Sequence, residues 1–336
     1  MELFILYIFK YFLIYNMEKV LCNYCQSSEN EIVCKQKDIV HEISNDFFFI
    51  VECKNCGLNF TNPRPKKSDI GSYYPKNYSF YKDNTLNKYN EFIVNILSNS
   101  LIGIIFMLIP SIHHKLKNYV KPKIQYPIKL KENESFLDIG CGSGSSTHFW
   151  GYKESLKKYS NISKNLFGVE PDESSQLKLK DLNINVYADI SDINESLKFD
   201  IIRMNWSLEH VHDPSKYFRF IYKHLKNNNS KAIISVPNYD GHIYKLDKSN
   251  VELPIHLYHF KYKNISDYCF KNSLRIEYFK TFSYSTMYLF SASINQKLNK
   301  YKNMSLYAMH KLQKKLNIID KKNNGNDMIF ILKHDI

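Results

Sequence analysis

Glycine is scarce in this chain, with 10 in 336 residues, and no internal repeat is visible. The lack of a repeat removes solenoid and propeller architectures. No glycine run ends in G-K-[ST], which excludes a Walker-type phosphate loop. Long unbroken apolar runs are also rare. The opening MELFILYIFKYFLIYN is apolar, but Lys10 interrupts it, no small-residue cleavage site follows, and it is short for a bilayer span. Residues 1–16 read as an upstream extension or a surface anchor, and Met17 is a natural start for a domain. The cysteines give no disulfide framework: four of the seven fall as two C-x-x-C pairs, which suits metal binding in a reduced, cytoplasmic compartment.

Hydrophobic residues make up 44% of the chain and charged residues 24%, enough core for one large α/β domain and a smaller unit. The net charge of +13 is spread along the whole chain, so it reads as a compositional bias before it reads as a polyanion site.

The first unit holds CNYC, then 27 intervening residues, then CKNCG. Two such knuckles closing a β-rich stretch supply four thiolates, and the expected ligands of a structural zinc are Cys22, Cys25, Cys53 and Cys56. Cys34 lies inside the spacer as a substitute candidate. A redox pair is disfavoured, because neither C-x-x-C opens a helix in a βαβ pattern. TNPRP at 61–65 is an extended exit.

The stretch FIVNILSNSLIGIIFMLIP at 92–110 is apolar with a polar stripe of Asn95, Ser98 and Asn99. It reads as a helix packed on the main domain, an in-plane membrane helix, or a span; the last would separate two cytosol-type modules. The basic segment HHKLKNYVKPK follows, so peripheral membrane contact through 92–123 is one expectation.

From residue 135 strands and helices alternate. SFLDIG, NLFGVE, INVYA, FDIIRMN, KAIISVP, LRIEYFKTF and DMIFILKH read as strands, which predicts a doubly wound parallel sheet. Gly140, Gly142 and Gly144 follow the first strand and let backbone approach a bound group. The spacing G-x-G-x-G, with Asp138 in the preceding strand, departs from the dinucleotide pattern G-x-G-x-x-G. Glu170 ends the second strand, where an acid accepts ribose hydroxyls. Asp189 lies just past the third strand and could accept from an adenine amino group.

LDIGCGSG, GVEP, FDIIRMNWSLEHVHDP, SVPN and LPIHLYHF together resemble class I S-adenosylmethionine-dependent methyltransferases. More narrowly, CKNCGLNFTNPRP at 53–65 is similar to the end of the N-terminal zinc ribbon carried by a bacterial branch of that family. The resemblance runs from about residue 20 to 334 in the same order. It implies a seven-stranded Rossmann-like sheet whose final strand runs antiparallel between two others, with S-adenosylmethionine and structural zinc as cofactors. Gly140, Gly142 and Gly144 would admit the methionine part, Asp138 would support the loop and the cofactor amine, and Glu170 would take the ribose. Asp189 would face adenine, and Asn205 joins the cofactor contacts. KNNNSKA at 226–232 departs from the family's Pro-Gly-Gly turn, and FKNSLRI at 270–276 from its glycine-phenylalanine pair.

The implied units are the 1–16 leader, a zinc ribbon over 17–66, a connector over 67–127 and the methyltransferase domain over 128–336. His210, His256 and His259 sit where the fold places an acceptor and are the candidate proton acceptors. Glu209 and Tyr258 are the candidate substrate contacts. Bland alternatives stand beside each: Glu209 and His210 bonding each other or the loop backbone, and His256 and His259 simply packing. His212 reads as helix-start chemistry with Asp213 as cap. The expected reaction is methyl transfer to a small-molecule or glycan-type acceptor (a sugar, nucleotide-sugar or lipid-linked glycan). NWSL at 205–208 is not an N-P-P-Y-type sequence, which disfavours methylation of a base amino group. An RNA methyltransferase gripping phosphate with the ribbon and its basic face is the alternative, and a cofactor-binding module without catalysis is a third reading.

Overall fold

The computed structural model describes residues 17–75, 125–145, 154–246, 248, 251–284 and 306–335. The expectations for 1–16 and 92–110, and most of the connector, lie outside the described residues.

Among the described residues seven strands form one sheet in the order β12-β13-β10-β9-β6-β7-β8. They are β6 (Phe136–Ile139), β7 (Leu166–Val169), β8 (Asn185–Tyr187), β9 (Ile201–Asn205), β10 (Lys231–Pro237), β12 (Leu274–Phe282) and β13 (Asp327–His334). β6 to β10 run parallel, and β13 is antiparallel to both β10 and β12. Its inner strands are near-continuous apolar runs because helices cover both faces. The order reverses between β6 and β9, so a crevice opens beyond their carboxyl ends.

Among the described residues the α-helices are α1 (Leu156–Tyr159), α2 (Glu173–Lys180), α3 (Pro214–His224), α4 (His242–Leu246), α5 (Tyr262–Lys271) and α6 (Leu306–Asp320). α3 shows how local sequence sets an end: Asp213 accepts from the Lys216 N–H at 3.1 Å and Pro214 takes the first helical position. The cap expected at Asp213 is therefore present. Phe218, Ile221 and His224 of α3 are buried.

The cysteine unit is not an appendage. Its strands β2 (Asn30–Lys37), β3 (Phe47–Cys53) and β4 (Asn59–Thr61) accept a fourth, β11 (Tyr258–His259), from the HLYHF segment nearly 200 residues on. A short ladder between β1 (Met17–Glu18) and β5 (Arg64–Pro65) closes the unit. Val51, Leu58 and Phe60 share one buried cluster with Leu137, Leu208, Phe218 and Phe260 of the larger domain. Asn23, in the first knuckle, bonds Asp213, Ser215 and Tyr268, which seats that knuckle on α3 and α5.

Candidate active site and metal centre

The glycine loop leaves β6 with Gly140, Gly142 and Gly144 all at positive φ (76°, 53° and 69°), the left-handed region where a side chain is strained. A Cβ on Gly140 would sit 2.5 Å from Cβ of Ser207, in the loop after β9. Ser207 Oγ in turn donates to the Ile139 carbonyl at 2.8 Å, so the two loops that border the crevice are held against each other.

Glu170 stands at the end of β7. Its carboxylate accepts from the Gly142 N–H at 2.8 Å and the Asp172 N–H at 3.0 Å. Burial pushes its pKa up to about 7 against those two hydrogen bonds, with the charges of Asp172 and Asp138 adding to the rise. Asp189 caps the turn that follows β8, and Lys67 (2.9 Å) and Lys216 (3.1 Å) pair with it. Desolvation raises its pKa, but hydrogen bonds from Ser191, Lys67 and Lys216 outweigh that and hold it well below the usual carboxylate range. Asp138 is fully engaged: Arg203, in the middle of β9 and 1% exposed, meets both its oxygens at 2.8 and 2.6 Å. Arg203 also donates to the Glu154 carbonyl at 2.6 Å and lies over the Phe136 and Tyr159 rings.

The parallel sheet, the reversal of order between β6 and β9, the left-handed glycine loop and the acid at the end of β7 converge on one cofactor crevice. Residues 112–274 match the family described as a methyltransferase domain. The chain carries a methyltransferase domain over these residues. Solved structures similar to it include an S-adenosylmethionine-dependent methyltransferase of Thermotoga maritima, at 16% identity and TM-score 0.39, covering 62% of this chain and 84% of that one. The cyclopropane synthase MmaA2 of Mycobacterium tuberculosis is similar at 14% identity and TM-score 0.41, covering 61% and 80%. A methyltransferase of Mesorhizobium loti is similar at 12% identity and TM-score 0.40, covering 62% and 94%. No protein of curated function matches the chain.

Beside the methyltransferase crevice, buried polar atoms gather at the ends of β9 and β10 and the start of β13. Asn205 Oδ1, Ser235 Oγ, Asn326 Nδ2, Asp327 Oδ2 and both carboxylate oxygens of Glu209 have no hydrogen-bond partner. Such groups cost roughly 1–3 kcal/mol each when left unpaired, so they mark a place built for a polar ligand. Trp206, at positive φ (52°), donates its indole N–H to Asp327 at 3.0 Å. Burial pushes Asp327 up to about 8 and Glu209 well above the usual range.

The shifted Asp327 gives a stability prediction. The folded chain keeps this proton above pH 3.8 while the unfolded chain has lost it, so stability falls as pH rises from about 4 to about 8. Asp327→Asn is expected to unfold at higher temperature than the parent at pH 8.5. It should also remove a slope of up to about 1.4 kcal/mol per pH unit. Unfolding temperatures that vary with pH identically in both proteins would contradict this assignment.

The turn Leu208–His210 places Glu209 and His210 together. His210 Nδ1 lies 3.1 Å from the Ile255 carbonyl and 3.1 Å from the Tyr74 hydroxyl. The His256 ring meets His210 edge-on, with centroids 4.6 Å apart. Burial lowers both histidines, His210 to about 3, so both imidazoles are neutral. Glu252 lies 3.9 Å from His256 Nε2 and 3.2 Å from His41 Nε2, on the loop between β2 and β3. Desolvation opposes its ionisation, but the hydrogen bond with His41 outweighs that and holds it below the usual carboxylate range.

His259 and Tyr258 are not drawn into this group. His259 Nε2 lies 3.1 Å from Thr61 Oγ1 and its ring lies against Tyr239. The Tyr258 hydroxyl meets Arg64 at 3.0 Å and the His212 carbonyl at 3.2 Å. Both side chains join the ribbon to the larger domain. A backbone chain does the same: Thr61 N donates to Leu257 O, and Leu257 N donates to Glu209 O, at 2.9 and 2.8 Å. The ribbon thereby fixes the position of Glu209. Arg64, Arg203, Tyr74, His41 and Glu252 were not singled out from the sequence. The charge of Arg203 inside the apolar run FDIIRMN was the one local signal among them.

Cys22, Cys25, Cys53 and Cys56 place their sulfurs within 4.8 Å of one another, with Cys22–Cys56 at 3.4 Å and Cys25–Cys53 at 3.5 Å. Tetrahedral thiolate zinc needs sulfurs about 3.8 Å apart, so the set fits a structural zinc. Cys34, in β2, packs in a separate cluster and is not part of it. No helix among the described residues is long and apolar enough to cross a membrane.

Proposed function

We propose that this methyltransferase modifies a hydroxyl or carbon of a small, uncharged polar group, such as a sugar carried free, on a nucleotide or on a lipid. The observation that carries the reading is Glu209, 1% exposed with both oxygens unpartnered, beside the neutral imidazoles of His210 and His256. Such a recess takes a small inserted group, and the ionised Glu252 beside it disfavours a phosphate backbone. The bound sulfonium supplies an activated methyl group. The chain's share is to align the acceptor with it, exclude water and take up a hydroxyl acceptor's proton at the neutral imidazoles of His210 and His256. Alignment of this kind is worth roughly 7–11 kcal/mol.

Within this reading Glu170 accepts the ribose hydroxyls, the glycine loop, supported from below by the Asp138–Arg203 pair, holds the methionine end, Asn205 faces the cofactor and Asp189 lies toward adenine. Glu170→Ala is expected to weaken S-adenosylmethionine binding by about 1–3 kcal/mol in calorimetry. Affinity in the parent should rise from pH 6 to 8 as the Glu170 carboxylate ionises near 7. Equal affinity in the variant would end the ribose assignment. The reduced thiols support a cytoplasmic setting, and the basic segment at 113–123 would suit contact with an anionic membrane surface carrying a lipid-linked acceptor.

The test is transfer of labelled methyl from S-adenosylmethionine into an extract of a strain lacking the gene, separated into soluble, lipid and RNA fractions. Label in nucleotide-sugar or lipid-linked glycan supports the reading. Label confined to RNA overturns it and makes the ribbon a grip on phosphate.

A further inference from the structure

We propose that Glu209, His210 and His256 form a second metal site, for one divalent transition-metal ion, separate from the four-cysteine cluster. One donor atom from each residue lies within 4.8 Å of the others. An independent observation points the same way: the Glu209 carboxylate is 1% exposed and neither oxygen has a partner. A buried acid left unpaired is expensive, and a dication removes that cost while taking up its lone pairs.

The surroundings fit ligation. Metal-bound histidines almost always engage their second ring nitrogen with a carbonyl or carboxylate, which fixes the tautomer. His210 does so through Nδ1 with the Ile255 carbonyl at 3.1 Å. His256 turns Nε2 toward Glu252 at 3.9 Å, and Glu252 is anchored by His41 at 3.2 Å. Burial keeps both imidazoles neutral, the form that binds metal. Glu252, held ionised, adds negative potential on the same side. Two imidazole nitrogens and one carboxylate select zinc, iron(II), manganese, cobalt or nickel ahead of magnesium or calcium, which prefer all-oxygen sites. The ion's positions beyond these three ligands would be open to an acceptor oxygen. Resting on the proposed function, the ion would then take over from the imidazoles the task of making that hydroxyl acidic.

The experiment needs no acceptor. Full-length protein with its cysteine zinc in place is titrated with Mn²⁺, following free ion by electron paramagnetic resonance and bound metal by elemental analysis. One Mn²⁺ per chain is expected in addition to one zinc. Glu209→Gln and His256→Asn should each weaken Mn²⁺ binding by about tenfold or more while the zinc content stays unchanged. Two independent variants guard against one failing to fold, and each is checked by its unfolding temperature. No Mn²⁺ bound beyond the zinc, or binding that survives both folded variants, overturns the site. Mn²⁺ binding without label transfer to any acceptor fraction would leave the site standing and defeat the proposed function.

Discussion

Arg203→Met is expected to destabilise the protein by about 3–5 kcal/mol, read as the shift in its denaturant midpoint. Met keeps part of the aliphatic stem, so most of the loss is electrostatic, with a smaller share from the buried space the guanidinium leaves. Arg203 and Asp138 are 1% and 4% exposed, and they meet through two hydrogen bonds of 2.8 and 2.6 Å. Removing the guanidinium leaves a carboxylate in a buried site with no cation, and frees the Glu154 carbonyl as well. Asp138→Leu added to Arg203→Met should recover a large part of the loss, because no buried charge is then left alone. An unchanged midpoint in the single variant would mean that the pair does not hold β6 to β9. The result also bears on the cofactor: the pair sits under the glycine loop, so Arg203→Met should weaken S-adenosylmethionine binding without touching any contact atom.

Cys53→Ser should release the zinc and cost more than about 4 kcal/mol, the scale reached when a structural metal is lost. The consequence reaches further than the ribbon. Cys53 ends β3, β3 pairs with β4, and β4 holds β11 and, through Thr61 and Leu257, the backbone of Glu209. Hydrogen exchange in the variant should therefore rise over residues 257–260 and 208–210 while the amides of β7 stay protected. A variant that keeps its zinc, or that loosens only residues 22–56, would contradict this coupling. It would then make the ribbon a separate unit, as the boundary at residue 66 read from sequence implied.

The comparison between chain and fold divides along the range of the interactions. KAIISVP, LRIEYFKTF and DMIFILKH form strands over their full predicted lengths, and the other four are shortened by one or two residues at their ends. Period and apolar content are local, so they survive folding. The four cysteines and the glycine loop are local spacings too. What stayed hidden depends on pairing across the chain. Nothing in HLYHF says that it completes the ribbon's sheet, so Tyr258 and His259 read as acceptor residues although their side chains bond Arg64 and Thr61. Glu252 and His41 are 211 positions apart and become neighbours only once the loop between β2 and β3 folds back onto the larger domain. Asp138 reads as a loop support, and Arg203, which fixes it, lies 65 positions on in the neighbouring strand, a pairing that only the folded sheet brings about.

The decisive measurement is a crystal structure of the full chain with S-adenosylhomocysteine bound. The ribose is expected on Glu170, with the sulfur turned toward the recess formed by Glu209, His210 and His256. A ribose bound away from Glu170, or a sulfur facing a surface remote from that group, would contradict these roles.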